Sequence, residues 1–212
     1  MKFYKLKLCK NNNDLKRLVS KKKFKLTYIN LYSIGVKNNL VYNYDFLIDG
    51  WPLVKFFKYM FNIDAQLMSF YNMKDFWLSY ISKNKIVIAG YSKDDHKEIL
   101  KYFEKAKIPS PTMIDGYLND ESLITELKCY KEKVIFLGIG QPRQEIILNK
   151  LDDDYRIISC GAFFKQLAEI EKEFTGISRA LGLTVFMRWW SNPIMLYRRT
   201  LLPLFKLKNS II

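Results

Sequence analysis

Short apolar runs rich in β-branched residues alternate along the chain with segments whose apolar positions recur at helical spacing. The apolar runs predict strands at 24–30, 44–49, 85–91, 112–118, 132–140 and 155–162. The periodic segments predict amphipathic helices at 52–62, 74–83, 94–107 and 141–151. This alternation predicts an α/β, Rossmann-like fold, in which a mostly parallel sheet carries helices on both faces.

Special residues close four of the predicted strands. They are Asn30, Asp49 with Gly50, Gly90, and the Gly138-Ile139-Gly140 run. In parallel sheets, ligands bind in the crevice beyond the carboxyl ends of the strands. The pattern therefore predicts a mononucleotide-binding crevice at that edge.

The stretch FLGIGQPRQEIIL (136–148) lies where a strand becomes a helix. Glycines there allow a close backbone approach, and the N–H groups of a helix start attract phosphate. The stretch lacks the GK[ST] end of a P-loop and the third glycine of a dinucleotide fingerprint. Spacing alone leaves a plain turn and an anion site both open. We interpret Glu145 as a structural residue of the helix start.

Asp49 is the candidate general base. A carboxylate at the mouth of a crevice is partly desolvated, so its pKa can rise into the range of a working base. The alternative is a turn or helix-capping residue just before Trp51-Pro52. The lone histidine, His96, falls on a solvent-facing helix start, which disfavours catalysis by histidine. The Asp152–Asp154 run is interpreted as a solvated turn rather than a metal motif.

The charge and the aromatic content of the chain change after Glu173. The formal net charge is +14, and residues 174–212 contain no acidic residue but six cations, interleaved with aromatic residues. This divides the chain into an α/β domain (1–173) and a basic, aromatic-rich appendage (174–212). Such a segment suits docking on anionic lipid headgroups. A pair of helices that completes the core, or a surface for single-stranded nucleic acid, are alternatives.

Three scattered cysteines indicate neither a disulfide framework nor a zinc site. The amino-terminal residues lack the apolar core of a signal peptide, and no stretch has the apolar length of a membrane span. We therefore expect a cytoplasmic protein.

The ordered landmarks resemble the WecG/TagA/CpsF glycosyltransferase family. The 136–148 stretch is similar to its GxGxPxQE signature, and residues 161–169 (GAFFKQLAE) to its GxxFDxLAG segment. Residues 182–199 are similar to its arginine-rich carboxyl-terminal segment. Tyr28-Ile29-Asn30, Asp49-Gly50 and Gly116-Tyr117 match its earlier landmarks in order.

The resemblance implies an inverting, metal-independent enzyme without a cofactor. It would transfer a sugar, N-acetylmannosamine-like or another hexose, from a UDP-sugar to a polyprenyl-diphosphate-linked acceptor in cell-surface polysaccharide synthesis. The enzyme would associate with the inner face of the cell membrane through its carboxyl-terminal segment, without binding nucleic acid. Whether it forms a homo-oligomer is left open.

The resemblance assigns the role of general base to Asp49 and the diphosphate contacts to Arg188, Arg198 and Arg199. With the strand-end pattern, it gives the remaining candidate substrate-binding residues: Tyr28, Asn30, Gly90, Gly116, Tyr117, Gly138, Gly140 and Gln144. Lys165 stands where the family has Asp, which keeps a non-catalytic partner subunit open as an alternative. A basic nucleic-acid-binding module is the other alternative, and it draws on the net charge alone.

Overall fold

A computed structural model describes residues 7–30 and 44–173. Within them the strands are β1 (Lys7–Cys9), β2 (Phe24–Ile29), β3 (Asp45–Ile48), β4 (Ile86–Gly90), β5 (Thr112–Ile114), β6 (Val134–Gly138) and β7 (Arg156–Ser159). The helices are α1 (Asn12–Val19), α2 (Trp51–Phe61), α3 (Lys74–Ser82), α4 (Lys93–Lys105), α5 (Asp120–Lys128), α6 (Arg143–Lys150) and α7 (Phe163–Glu173).

The strands form one seven-stranded sheet in the order β1-β3-β2-β7-β6-β4-β5, and each neighbouring pair is parallel. The strands β2, β7, β6 and β4 are each buried at all but at most one residue, and β4 and β6 are apolar throughout, as expected for a sheet covered on both faces. The predicted α/β, Rossmann-like fold is confirmed.

Two apolar clusters divide the helices between the faces of the sheet. One cluster takes its helical residues from α1, α3, α4 and α7, with Trp77, Phe103 and Phe164 among its largest side chains. The other takes them from α2, α5 and α6, including Phe57 and Leu148. The molecule is therefore a three-layer α/β/α sandwich with the sheet in the middle.

Side-chain caps begin several of the helices. The Asn11 side chain accepts the N–H groups of the first turn of α1, and Asn119 does the same for α5. Ser92 and Asp95 form a reciprocal capping box at the start of α4. Each cap satisfies donors that the helix cannot satisfy internally, so these helix starts are held at the carboxyl edge of the sheet.

The segment between α2 and α3 crosses the carboxyl ends of β1 and β3. The Gln66 N–H donates to the Lys10 carbonyl oxygen at 2.8 Å, and the Met68 N–H donates to the Ile48 carbonyl oxygen at 2.9 Å. This segment therefore closes the crevice edge on the β1 side of the sheet.

The three cysteines are free. Cys9 and Cys160 are buried, and burial raises the pKa of each thiol to about 12, whereas Cys129 is exposed at the end of α5. Within the described ranges, no helix is both long enough and apolar enough to span a bilayer. The proposed appendage (174–212) lies outside the described residues.

Candidate functional site

The position of the crevice follows from the way the chain continues after β4 and after β6. β6 leads through α6 to its neighbour β7, and β4 leads through α4 to its neighbour on the other side, β5. The helices α4 and α6 belong to opposite faces of the sheet. Adjacent parallel strands whose connections diverge leave a crevice at their carboxyl ends, where ligands of such sheets bind. The crevice therefore opens above Gly90 and Gly138.

Three glycines form the floor of this crevice by close backbone approach. A Cβ at Gly90 would lie 2.7 Å from the Gly138 carbonyl carbon, and a Cβ at Gly116 would lie 2.7 Å from the Gly90 Cα. A Cβ at Gly138 would lie 2.5 Å from the Tyr91 ring. The turns after β4, β5 and β6 are therefore packed against one another without room for side chains.

Tyr91 connects this floor to the turn after β7 through hydrogen bonds of its hydroxyl group. Its backbone adopts φ of 65°, and its hydroxyl donates to the Gly161 carbonyl oxygen at 2.6 Å while accepting the Phe164 N–H at 3.3 Å. Burial raises the pKa of Tyr91 well above its ordinary value. Tyr91 carries no sequence motif, so the sequence did not single it out.

The turn after β6 presents an open backbone surface. Gly140 has φ of 80°, and a Cβ there would meet no atom within 4 Å. The Gln141-Pro142 peptide that follows is cis, and α6 begins at Arg143. Gly140 therefore faces free space at a helix start, as an anion-binding turn requires.

Arg143 is engaged by the neighbouring turn. Its guanidinium donates to the Gly116 carbonyl oxygen at 2.6 Å, to the Leu118 carbonyl oxygen, and to the Asp120 carboxylate at 2.7 Å. The side chain thus ties the start of α6 to the turn between β5 and α5. The N–H groups of its guanidinium are therefore bonded to protein oxygens and do not face the crevice.

A buried polar cluster lies beneath the same turn. Glu145 Oε1 accepts hydrogen bonds from Thr27 Oγ1 at 3.1 Å, Gln141 Nε2 at 2.9 Å and Gln144 Nε2 at 3.1 Å. Gln141 also donates to the Tyr28 carbonyl oxygen at 3.2 Å. Glu145 is thus a structural residue that joins β2 to α6, in agreement with its interpretation from the sequence.

Gln144 and Tyr28 belong to this cluster. Gln144 is fully buried, and its side chain hydrogen-bonds the Tyr28 phenol. Burial and the nearby Glu145 raise the pKa of Tyr28. The Tyr28 ring packs edge-on against Phe70, with 6.5 Å between centroids, and a Cβ at Gly161 would lie 2.8 Å from its hydroxyl oxygen. Both side chains lie under the crevice wall.

Asp49 and Asn30 meet at the ends of adjacent strands. The Asp49 N–H donates to the Ile29 carbonyl oxygen at 2.9 Å, which extends the pairing of β2 with β3 by one residue. Burial raises the pKa of the Asp49 carboxyl, and a hydrogen bond from the Asn30 side chain partly offsets this rise. The N-cap of α2 is Gly50, with φ of 108°, so the capping alternative for Asp49 is wrong.

Asp49 and the glycine floor lie along one edge of the sheet. β3 is separated from β6 by β2 and β7, so Asp49 and Gly138 lie three strand spacings apart, about 14 Å. Tyr28, Asn30 and Gly161 lie at the strand ends between them. An extended ligand can reach both ends of this edge at once.

Other sequence candidates lie at the rim or away from it. Tyr117 is 79% exposed beside the glycine floor, and Lys165 Nζ donates to Asp95 Oδ1 at 2.8 Å across α7 and α4. His96 is not solvent-facing as expected, because its Nε2 lies 2.7 Å from the Gly90 carbonyl oxygen. This contact makes it a support of the crevice floor.

The aspartate run is a turn held by lysines. Asp153 lies 2.9 Å from Lys25 Nζ, and Asp154 bonds both Lys23 and Lys131. Among the residues that the structure describes, no group of three or more His, Cys, Asp and Glu side chains is arranged to hold a metal ion. Arg188, Arg198 and Arg199 lie outside the described residues.

The fold is that of a doubly wound α/β protein. The carboxylate at the end of β3 and the crevice between the diverging connections of β4 and β6 suit a nucleotide-type ligand. The model of the glycosyl transferase WecG/TagA/CpsF family matches residues 38–210, so the chain belongs to this glycosyltransferase family. Its members act in cell-surface polysaccharide synthesis, with a sugar donor and a lipid-linked acceptor. A comparison with curated protein sequences found no match.

Proposed function

We propose that the chain is an inverting, metal-independent glycosyltransferase. It transfers an N-acetylmannosamine-like sugar or another hexose from a UDP-sugar to a polyprenyl-diphosphate-linked acceptor. The observation that carries this proposal is Asp49, a partly buried carboxylate with a raised pKa at the end of β3, bonded by Asn30. A base of this kind is what transfer to a sugar hydroxyl requires.

The reaction is a single displacement at the anomeric carbon. The acceptor hydroxyl oxygen attacks that carbon, and its proton passes to the Asp49 carboxylate. The bond between the anomeric carbon and the diphosphate oxygen breaks, and its electron pair leaves with UDP. Because attack and departure occur on opposite sides of the carbon, the configuration inverts.

The leaving diphosphate needs positive charge. In this proposal UDP lies along the edge above Gly90, Gly116 and Gly138, with its phosphates at the open backbone of Gly140. Arg188, Arg198 and Arg199 of the carboxyl-terminal segment complete the compensation of charge. The same segment holds the enzyme at the anionic inner face of the membrane, where a prenyl-linked acceptor is found.

The test is the substitution Asp49→Asn, assayed for transfer from a panel of UDP-sugars to prenyl-diphosphate-linked sugars in the presence of EDTA. Asn keeps the shape and the Asn30 contact but cannot accept the proton, so we expect transfer to fall by at least about a hundredfold. Binding of UDP should be unchanged.

Three outcomes would contradict the proposal. Retained transfer by the Asn variant removes Asp49 from the role of base. Transfer by the wild-type enzyme that stops in EDTA and returns with added divalent metal removes the metal-independent mechanism. UDP binding without transfer across the panel would favour a non-catalytic partner subunit.

A further inference from the structure

A concave site lies on the opposite side of Asp49 from the glycine floor. It is a cavity of about 560 Å³ over the carboxyl ends of β1 and β3, within the usual size range of small-ligand sites. Its lining includes Trp51 and Phe76, and the polar side chains Asn12, Gln66, Asn72 and Asp75. None of the substrate-binding residues predicted from the sequence belongs to it.

Backbone bonds attach this cavity to the strand that carries Asp49. Trp51 follows Asp49 with only Gly50 between them, and it begins α2. The opposite wall is the crossing segment, whose Met68 N–H bonds the carbonyl oxygen of Ile48 at the end of β3. Both walls therefore meet at the end of β3, and the cavity and the glycine floor lie on either side of Asp49.

The lining chemistry selects a neutral, hydroxyl-rich ligand. Among the described residues that form the cavity there is no Lys, Arg or His, so a phosphate would find no cation. Three amides and one carboxylate offer donors and acceptors for hydroxyl groups. The two aromatic side chains offer flat apolar faces, and a pyranose ring presents a face of C–H groups that packs on them.

The two aromatic side chains differ in how they are held. Trp51 is 63% exposed although it is a large aromatic residue. Phe76 packs edge-on against Trp77, with 5.1 Å between centroids, and stacks with Tyr80. Phe76 is therefore a fixed wall, and the Trp51 indole is a face open to a ligand.

We propose that this cavity binds the sugar ring of the acceptor. The inference rests on the proposed function and deepens it: the donor occupies the edge over β6 and β4, the acceptor sugar occupies the cavity over β1 and β3, and Asp49 lies between them. The acceptor's diphosphate and prenyl chain extend out of the cavity, because the described residues that line it include no cation to hold them.

Binding of the acceptor sugar can be measured without transfer. The probes are hexosyl and N-acetylhexosaminyl diphosphates with a short alkyl chain, followed by saturation-transfer NMR and by titration of full-length protein. We expect Trp51→Ala to weaken binding about tenfold, because the aromatic face is lost, and Asp75→Asn to weaken it as well. Thermal shifts with UDP should be the same in all variants.

Tyr59→Ala is the matched control. Tyr59 is an aromatic residue of the same helix, 82% exposed and outside the cavity lining, so its loss should leave probe binding unchanged. The proposal is overturned if no probe binds the wild-type protein, if Trp51→Ala binds the probes as tightly as wild type, or if UDP competes with them.

Kinetics separate this proposal from the proposed function. If transfer occurs, Trp51→Ala should raise the acceptor KM about tenfold and leave the donor KM unchanged. If transfer occurs and the acceptor KM does not change, the cavity assignment fails while the activity stands. If no UDP-sugar supports transfer but probe binding still depends on Trp51, the activity fails while the sugar site stands.

Discussion

Asp49 makes the folded chain less stable at neutral pH than an uncharged residue in its place would. Burial raises its pKa in the folded state, so the charged form is disfavoured there relative to the unfolded chain. The raised pKa stabilises the folded chain when Asp49 is protonated. This stabilisation is complete below the pKa of the unfolded chain, about 3.9, and it is lost as the pH rises through the pKa of the folded chain. The proposed general base is therefore kept in a site that disfavours its charged form.

The substitution Asp49→Asn should therefore raise the melting temperature at pH 7 while it removes transfer. The gain should shrink as the pH falls and vanish below about pH 4, where the aspartate is protonated in both states. Thermal unfolding of both proteins across this pH range measures the difference. A variant that melts lower than wild type at pH 7 would show that Asn30 stabilises the charge more than burial opposes it.

The residues of the edge were predictable to different degrees. Asp49 and Asn30 could be found because strand-end polar residues follow an apolar run. Tyr91 and His96 could not, because their roles depend on contacts with Gly161 and Gly90 that only the folded turns create. Sequence pattern identifies which residues reach the edge, but it does not show which of them face the ligand.

At the scale of elements, the turns after β4, β5 and β6 act as one packed unit. Gly138 is the position where this is most easily tested, because a Cβ there would meet the Tyr91 ring. Gly138→Ala should destabilise the fold by about 1–3 kcal/mol through overpacking. Denaturant unfolding measures the change.

A double variant supplies the control for this prediction. Tyr91→Ala removes the ring, so adding it to Gly138→Ala should cost less than the sum of the two single changes. Strict additivity would mean that the ring does not cause the penalty. Gly140→Ala has free space around its Cβ, so the only cost expected there is that of a positive φ, about 1–2 kcal/mol.

The strong elements were predicted and the marginal ones were missed. Every predicted strand and helix is present, with ends that differ from the prediction by at most four residues, because buried runs and amphipathic patterns are clear signals. The sequence did not predict β1, α1, α5 or α7. β1 has only three residues, and α1 and α5 each bury only two leucines within a mostly polar segment, so their apolar pattern is sparse.

At the scale of the whole molecule, the distribution of charge predicts binding to anionic membranes through residues 174–212. Residues 174–212 contain no acid, and their arginines are the proposed contacts to diphosphate and lipid. Replacing Arg188, Arg198 and Arg199 with Gln removes three cations. At about 1 kcal/mol per cation near an anionic surface, binding to anionic vesicles should weaken roughly a hundredfold.

The control removes the same charge elsewhere. Lys21, Lys22 and Lys128 are exposed, and they lie near the start of β2 and the end of α5, at the edge of the sheet opposite the crevice. Their replacement with Gln should leave vesicle binding nearly unchanged when measured by sedimentation. Equal losses in both triple variants would mean that net charge, rather than the carboxyl-terminal segment, governs the attachment.

The positions of the cysteines make the chain easy to orient on a surface. Cys129 is exposed, whereas the thiols of Cys9 and Cys160 are buried with pKa values of about 12 and are scarcely ionised at neutral pH. Because Cys129 ends α5, a maleimide tether attached there holds the protein by the edge opposite Asp49. Chemistry at one native thiol would therefore present the crevice to lipid-linked substrates without an engineered tag.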